Sequence, residues 1–195
     1  MSELRFLYQN WAKVGFISAF FILLLLFLNS KVPIGSFEWL YWLSLPLYMF
    51  HQFEEYVYPG GFKEQLNKIL NREKGSLEIL TDKIVLVVNI GFIWVLTPIL
   101  IVLNIISIIF PIILITLVAF NGFTHVIASL ILRRYNPGLI ISIIANIPLG
   151  LYVLIGLGVN GLANSFELSI GIVVGSLLHS ALFIFLRLRT RKSMN

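Results

Sequence analysis

The sequence contains no cysteine, which excludes disulfides, thiolate nucleophiles and cysteine-ligated metals. Any metal would have to be held by histidine, carboxylate or water. Charge is scarce: 12% of the 195 residues are Asp, Glu, Lys or Arg, about half of the roughly 25% found in soluble domains. Only three residues are histidine. There is no Gly-x-x-x-x-Gly-Lys-Ser/Thr phosphate loop, no Gly-x-Ser-x-Gly elbow and no His-Glu-x-x-His pair, so none of the chemistries those motifs carry is indicated. The net charge of +5 is scattered beside apolar runs. It forms no stripe with interleaved aromatics, and nucleic acid is not expected as a partner.

Apolar residues make up 58% of the chain, with a mean hydropathy of +0.95. That balance predicts an all-α, polytopic membrane helical bundle, an integral membrane domain spanning residues 1–195, with membrane lipids as its surroundings. Six transmembrane helices are expected, at about Trp11 to Leu28, Phe37 to Tyr56, Thr81 to Leu103, Ile105 to Leu132, Leu139 to Gly158 and Phe166 to Leu186. No small-residue cleavage pattern follows Leu28, so the first is read as a retained span. The second is rich in Trp and Tyr and carries Pro46, which predicts a kink. Pro59-Gly60-Gly61 breaks the chain. After it, Phe62, Leu66, Ile69 and Leu70 recur at helical spacing, with Lys63, Lys68, Arg72 and Lys74 on other faces. That spacing predicts a short amphipathic interfacial helix, against the alternative of a solvated loop helix. In Asn136-Pro137-Gly138, Pro and Gly occupy the two central positions that suit a type II turn.

Six spans divide the basic residues sharply. Every Lys and Arg except Lys31 falls on the side that holds both termini, the loop between spans two and three, and the loop between spans four and five. By the positive-inside rule the expected topology is N-in/C-in, with both termini cytoplasmic and the cell membrane as the expected location. The same register places His51, His125 and His179 each eight residues before a cytoplasmic boundary, roughly 12 Å deep at about 1.5 Å per residue. Asn89 and Asn146 come to a similar depth from the opposite direction. Asn121 is one turn from His125, and Glu54 and Glu55 are one turn from His51.

Taken singly, Asn89 and Asn146 read as interhelical hydrogen-bond glue, and Gly171, Gly175 and Ser176 as a close-packing face. An intramembrane layer of ionisable groups nevertheless points to function. His51 and Glu54, three apart on a helix, share a face. With His125 and His179 they form a candidate metal set for zinc or non-haem iron. Glu55, alongside Glu54, is the candidate catalytic carboxylate, acting as general base or ligand orienter. Asn89, Asn121 and Asn146 would support the layer.

His51-Gln52-Phe53-Glu54-Glu55, the Tyr58-Pro59-Gly60-Gly61 that follows, Asn121-x-x-x-His125 and Tyr135-Asn136-Pro137-Gly138 together resemble the HXXEE-domain family of integral membrane proteins. The resemblance runs from about residue 40 to residue 180 and implies a multi-span protein whose activity is unestablished. It also implies roles for His51, Glu54, Glu55, Asn121 and His125 by motif, whereas His179 rests on depth alone. The leading expectation is a divalent-metal-dependent membrane hydrolase acting on a lipid-like or amphiphilic substrate. The rivals are a small proton-coupled transporter and a structural membrane protein using the same polar layer.

Overall fold

The computed structural model describes residues 3–70 and 78–192. Its described residues form seven helices and no strand: α1 (Glu3–Leu28), α2 (Phe37–Tyr56), α3 (Phe62–Leu70), α4 (Asp82–Ile105), α5 (Ile109–Leu132), α6 (Leu139–Val159) and α7 (Ser165–Lys192). Helices satisfy their own backbone polar groups, which is what an apolar solvent demands. Five of them are long and apolar enough to cross a membrane: α1, α4, α5, α6 and α7. Large hydrophobic side chains stand exposed along them, including Phe21, Leu25, Leu130, Ile144, Tyr152 and Leu177. Spread over several faces, they mark a surface that meets lipid rather than water.

The second expected span, α2, does not reach that apolarity. Its 20 residues include Glu38, His51, Gln52, Glu54 and Glu55. It is instead the most enclosed helix, packed against α1, α3, α4, α5 and α6. Ser36 caps its start, its hydroxyl accepting from Trp39 N at 3.2 Å, as N-terminal serines commonly do. Tyr41, Ser44, Pro46, His51 and Gln52 are all fully buried. The low hydropathy of α2 thus reflects polar side chains turned toward the other helices. Tyr41, Tyr48, Ile112, Ile115 and Val153 belong to the main core around it.

Small residues set the spacing elsewhere. A Cβ added at Gly175 would stand 2.8 Å from the Ile113 carbonyl oxygen, and one at Gly171 2.3 Å from Ile112 Cγ2, so α7 rests its backbone on α5. The close-packing role expected of Gly171 and Gly175 is what the contacts give them.

Helix α3 lays Phe62, Leu66 and Leu70 onto a second cluster containing Trp11, Ile79, Leu80, Val85 and Leu186. Asn67 ties it to the start of α4, its Oδ1 accepting from Ile79 N and Leu80 N at 3.0 and 2.8 Å. Lys63 adds ion pairs to Glu78 and Asp82. Burial works against the Lys63 charge, but its two carboxylate partners outweigh that and hold its pKa above the usual lysine value. The apolar face of α3 is therefore occupied by protein. Arg72 and Lys74, expected on its other faces, lie outside the described residues. The Asn136–Leu139 turn has the type II form: Gly138 sits at φ 98° and ψ −9°, and Leu139 N donates to Asn136 O at 3.0 Å.

Gly175→Ala should lower stability by about 1–3 kcal/mol, the usual cost of overpacking, seen as earlier thermal unfolding in detergent. Gly91, with open space around its Cβ position, should tolerate alanine without loss. Equal midpoints for the two variants would remove backbone contact as the determinant of α5–α7 spacing.

Candidate functional site

Glu54 and Glu55 are neighbours on α2, so about 100° of helical rotation separates their side chains. The structure uses that angle to give them different partners. Both Glu54 oxygens face the start of α6: Oε1 accepts from Tyr135 Oη at 2.6 Å and from Ile140 N at 2.8 Å, and Oε2 accepts from Ile141 N at 2.8 Å. The first N–H groups of a helix have no partner within it. Glu54 supplies one, and its charge suits the positive end of the helix dipole. Burial, the hydrogen bond to Glu54 and the nearby negative charge push the Tyr135 phenol well above its ordinary range.

Glu55 turns to the histidines. Its Oε1 lies 3.5 Å from His51 Nε2, one turn earlier on α2, and 3.2 Å from His125 Nε2 on α5. His51 and His125 meet edge to face, 4.7 Å between ring centroids, and all three residues are buried. The expected pairing of His51 with Glu54 at i, i+3 is replaced by His51 with Glu55 at i, i+4, because Glu54 is committed to α6.

One ligand atom from each of His51, Glu55 and His125 lies within 4.8 Å of the others, a group able to hold a metal ion. Ligands about 2.0–2.1 Å from a tetrahedral ion stand roughly 3.3–3.4 Å apart, and the two His–Glu distances bracket that value. Two imidazoles and one carboxylate also match the donor set of catalytic zinc sites, which keep a fourth position open. Two features pull the other way. Asn121 Nδ2 sits 2.9 Å from His51 Nε2 and competes for that lone pair in the assigned amide orientation. The Nδ1 atoms of His51 and His125 are buried without a hydrogen-bond partner among the described residues, although metal-ligating imidazoles normally donate from the second nitrogen. The donor set and its spacing fit a metal; the outer hydrogen bonds that would orient the rings are not in place.

The other expected residues are near but separate. His179 stacks between Phe120 and Phe183, each ring centroid 5.3 Å away, with Nε2 buried and unpartnered among the described residues. It is not one of the grouped ligands, yet it lines a cavity of about 50 Å³ together with Glu55, Asn89 and Asn121. Asn89 accepts from Gln52 Nε2 at 2.9 Å and donates to Val85 O at 2.8 Å, the interhelical glue expected of it. Asn146 is fully buried with neither side-chain polar atom paired among the described residues.

Several participants were read in the sequence for the turn, the motif or the face of α3, and not as part of the site. Gly138 is the floor of the site: a Cβ there would stand 2.6 Å from His51 Cε1 and 2.7 Å from His125 Cε1. Tyr135 belongs to the Glu54 anchor. Gln52 joins α2 to α4 by accepting from Trp94 Nε1 at 2.7 Å. Phe62 of α3 covers His125, 5.3 Å between ring centroids. The Tyr-Asn-Pro-Gly run signalled the turn, but nothing in it signals which helix the turn rests on.

A family model described as "Protein of unknown function with HXXEE motif" matches residues 42–153, more than half of the chain. The chain belongs to the HXXEE family. The match takes in His51, Glu54, Glu55, Asn121, His125 and the Tyr135–Gly138 turn, and ends before His179, short of the residue 180 expected from the motifs. No curated protein and no solved structure matches the chain. The letters that define the HXXEE motif thus divide physically: His and the second Glu face one another, and the first Glu anchors another helix.

Glu54→Ala leaves two N–H groups and a phenol without their acceptor and should cost about 3 kcal/mol; Tyr135→Phe removes one bond and should cost about 1 kcal/mol. Thermal unfolding of the two purified variants checks this order. A wild-type midpoint for Glu54→Ala would show that the carboxylate is not the anchor of α6.

Proposed function

We propose that this HXXEE protein is a six-span membrane enzyme, a metal-dependent hydrolase of lipid-like substrates, with its site open toward the cytoplasmic leaflet. The observation that carries the reading is the buried His51–Glu55–His125 group, whose ligand atoms are spaced for one ion. Ionisable groups buried in an apolar bundle are costly and are kept where they act. His51, Glu55 and His125 would hold the ion, which supplies Lewis-acid polarisation of a carbonyl or phosphoryl oxygen when bound.

The surrounding residues supply the rest. Gly138 and the apolar ring of Phe62 keep bulk water from the two imidazoles. Asn121 orients His51 through its amide. Glu55 also lines the inner cavity beside His179, where it can take a proton from an incoming nucleophile and hand that same proton to the leaving group. Glu54 has no place in that chemistry except through the position of α6.

Counting α2 as a sixth span is supported by its 20 residues, about 30 Å of helix and the thickness of a hydrocarbon core. Its central packing keeps its polar groups out of lipid. With six spans every basic residue but Lys31 falls on one side, which supports cytoplasmic termini and leaves α3 at the same interface, beneath the headgroups. That is also where a lipid substrate in the inner leaflet of the cell membrane would present its polar group.

A second reading is favoured by the Asn121–His51 contact and by the unpartnered Nδ1 atoms. In it the group is metal-free, and Glu55 carries a proton between two imidazoles, as in a proton-coupled carrier. Metal analysis separates the two. Wild-type protein purified without chelators should hold close to one equivalent of zinc or iron per chain, and His51→Ala with His125→Ala should hold less than a tenth of that. A metal-free wild type that retains its fold by thermal unfolding would sink the hydrolase reading and leave the proton relay.

A further inference from the structure

The inner cavity beside Glu55, about 50 Å³, adjoins two larger spaces of opposite character. One, of about 270 Å³, opens where α2 gives way to α3, between α1 and the start of α4. Its rim is polar: Gln9, Glu64 and Asp82 are exposed, with Lys63 beside them. Its bottom is made by Trp11, Ala12 and Val85, all buried, and by Tyr56. The other space, of about 210 Å³, lies between α3, α5 and α7, with Leu66, Ile69, Ala128 and Phe183 on its walls.

Tyr56 and Val85 line both the polar space and the inner cavity. The Tyr56 ring packs on Trp11 at the bottom of the polar space, 5.1 Å between centroids, and on Phe62, which lines the inner cavity, at 6.0 Å. Its hydroxyl accepts from Asn89 Nδ2 at 3.5 Å, and Asn89 also lines the inner cavity. The phenol therefore stands in the wall between the two. At that length the bond to Asn89 is weak, so ring contacts are most of what holds Tyr56 in place.

Size and lining decide what the inner cavity takes. A water needs roughly 10–15 Å³ of probe volume and two to four polar partners, so the cavity has room for a few waters and none for an acyl chain. Glu55, Asn89, Asn121 and Tyr56 border it, and Glu55 keeps 6% of its side-chain surface accessible although it is buried. Water crossing the apolar space would give up hydrogen bonds without replacement. From the polar space, one side chain separates it from the cavity that Glu55 lines.

We propose that the polar space between α1, α3 and α4 is the aqueous entrance of the site, and that Tyr56 is its gate, turning aside to admit water and small hydrated ions to Glu55. The entrance rests on the hydrolase reading for what the water does there; the route itself serves a proton relay equally. Tyr56 touches no reacting atom in this scheme, which makes it a positioning residue.

The chain has no cysteine, so one introduced thiol reports alone. Val88 lines the inner cavity, and Val88→Cys in full-length protein in nanodiscs is exposed to silver ion, a small hydrophilic thiol reagent, in chloride-free buffer. Captured thiol is read as lost labelling by a fluorescent maleimide after unfolding. Ala12→Phe, which fills the bottom of the entrance, should slow capture about tenfold, Tyr56→Ala should speed it about tenfold, and Tyr56→Phe, which loses only the long hydrogen bond, about threefold. Ala128→Phe, which fills the apolar space, should leave the rate unchanged. Gln9→Trp at the exposed rim replaces Ala12→Phe if the latter fails to fold, and Leu182→Cys, which lines the same cavity, repeats the measurement from α7. Thermal midpoints near that of the parent keep a loosened fold from passing for an opened gate. Slowing by Ala128→Phe with none by Ala12→Phe or Gln9→Trp would put the entrance on the apolar side, and an unchanged rate in Tyr56→Ala would remove the gate; either overturns the proposal. Silver capture does not need the metal, so the expected pattern in a metal-free wild type supports the entrance and overturns only the hydrolase reading.

Discussion

Two adjacent carboxylates buried in an apolar bundle must each find compensating partners, because an unpaired charge in such surroundings is far more costly than any single packing contact. Glu54 and Glu55 meet that requirement in different directions. Glu54 takes three donors from the turn and first residues of α6. Glu55 takes the two imidazoles. Because both sit on α2, the rotation of that one helix fixes where α6 begins and where His125 must be. The Tyr135–Gly138 turn then closes over the histidines as a consequence of being tied to Glu54.

This coupling explains why the site is narrow. Gly138 stands so close to both imidazole rings that no side chain could replace its hydrogen, and its φ of 98° is one that other residues rarely adopt. Helix α3 closes the opposite side. Its attachment is polar as well as apolar: the Asn67 bonds to Ile79 and Leu80 and the Lys63 ion pairs hold it to the start of α4. The lid over His125 is thus held from α4, an element that makes no contribution to the ligand group itself.

Much of this was legible in the sequence, and the limits have physical causes. Runs of about 20 apolar residues marked directly the five helices long and apolar enough to cross a membrane, because lipid imposes length and composition together. The second run expected to span, α2, was picked out by its aromatic residues, and it falls short of the same apolarity because of the polar groups it carries. Depth counting expected His51 and His125 in one layer, and their rings do meet, but it could not give azimuth. Asn89 was expected in the same layer and bonds Gln52, while His179 was expected there and lies against two phenylalanines. Choosing Glu54 as the partner of His51 followed from helical spacing, which allows i+3 and i+4 alike. Only the position of a distant turn decides between them, and that is a property of the packed bundle.

The same geometry bears on why the first carboxylate belongs to the motif at all. A residue that only anchored a helix could be replaced by a neutral cap or by a different turn. Here the anchor adjoins the carboxylate that faces the two histidines, and the turn it holds supplies Gly138 beneath both rings and Asn136 at the edge of the adjoining cavity. Losing the Glu54 contacts would free the turn and open the floor of the site to water. The first Glu therefore acts on the histidine group at a distance: it holds the turn that lies against both rings. The His51–Glu55–His125 group and the Glu54 anchor are two halves of one constraint, and α2 is polar because it has to carry both.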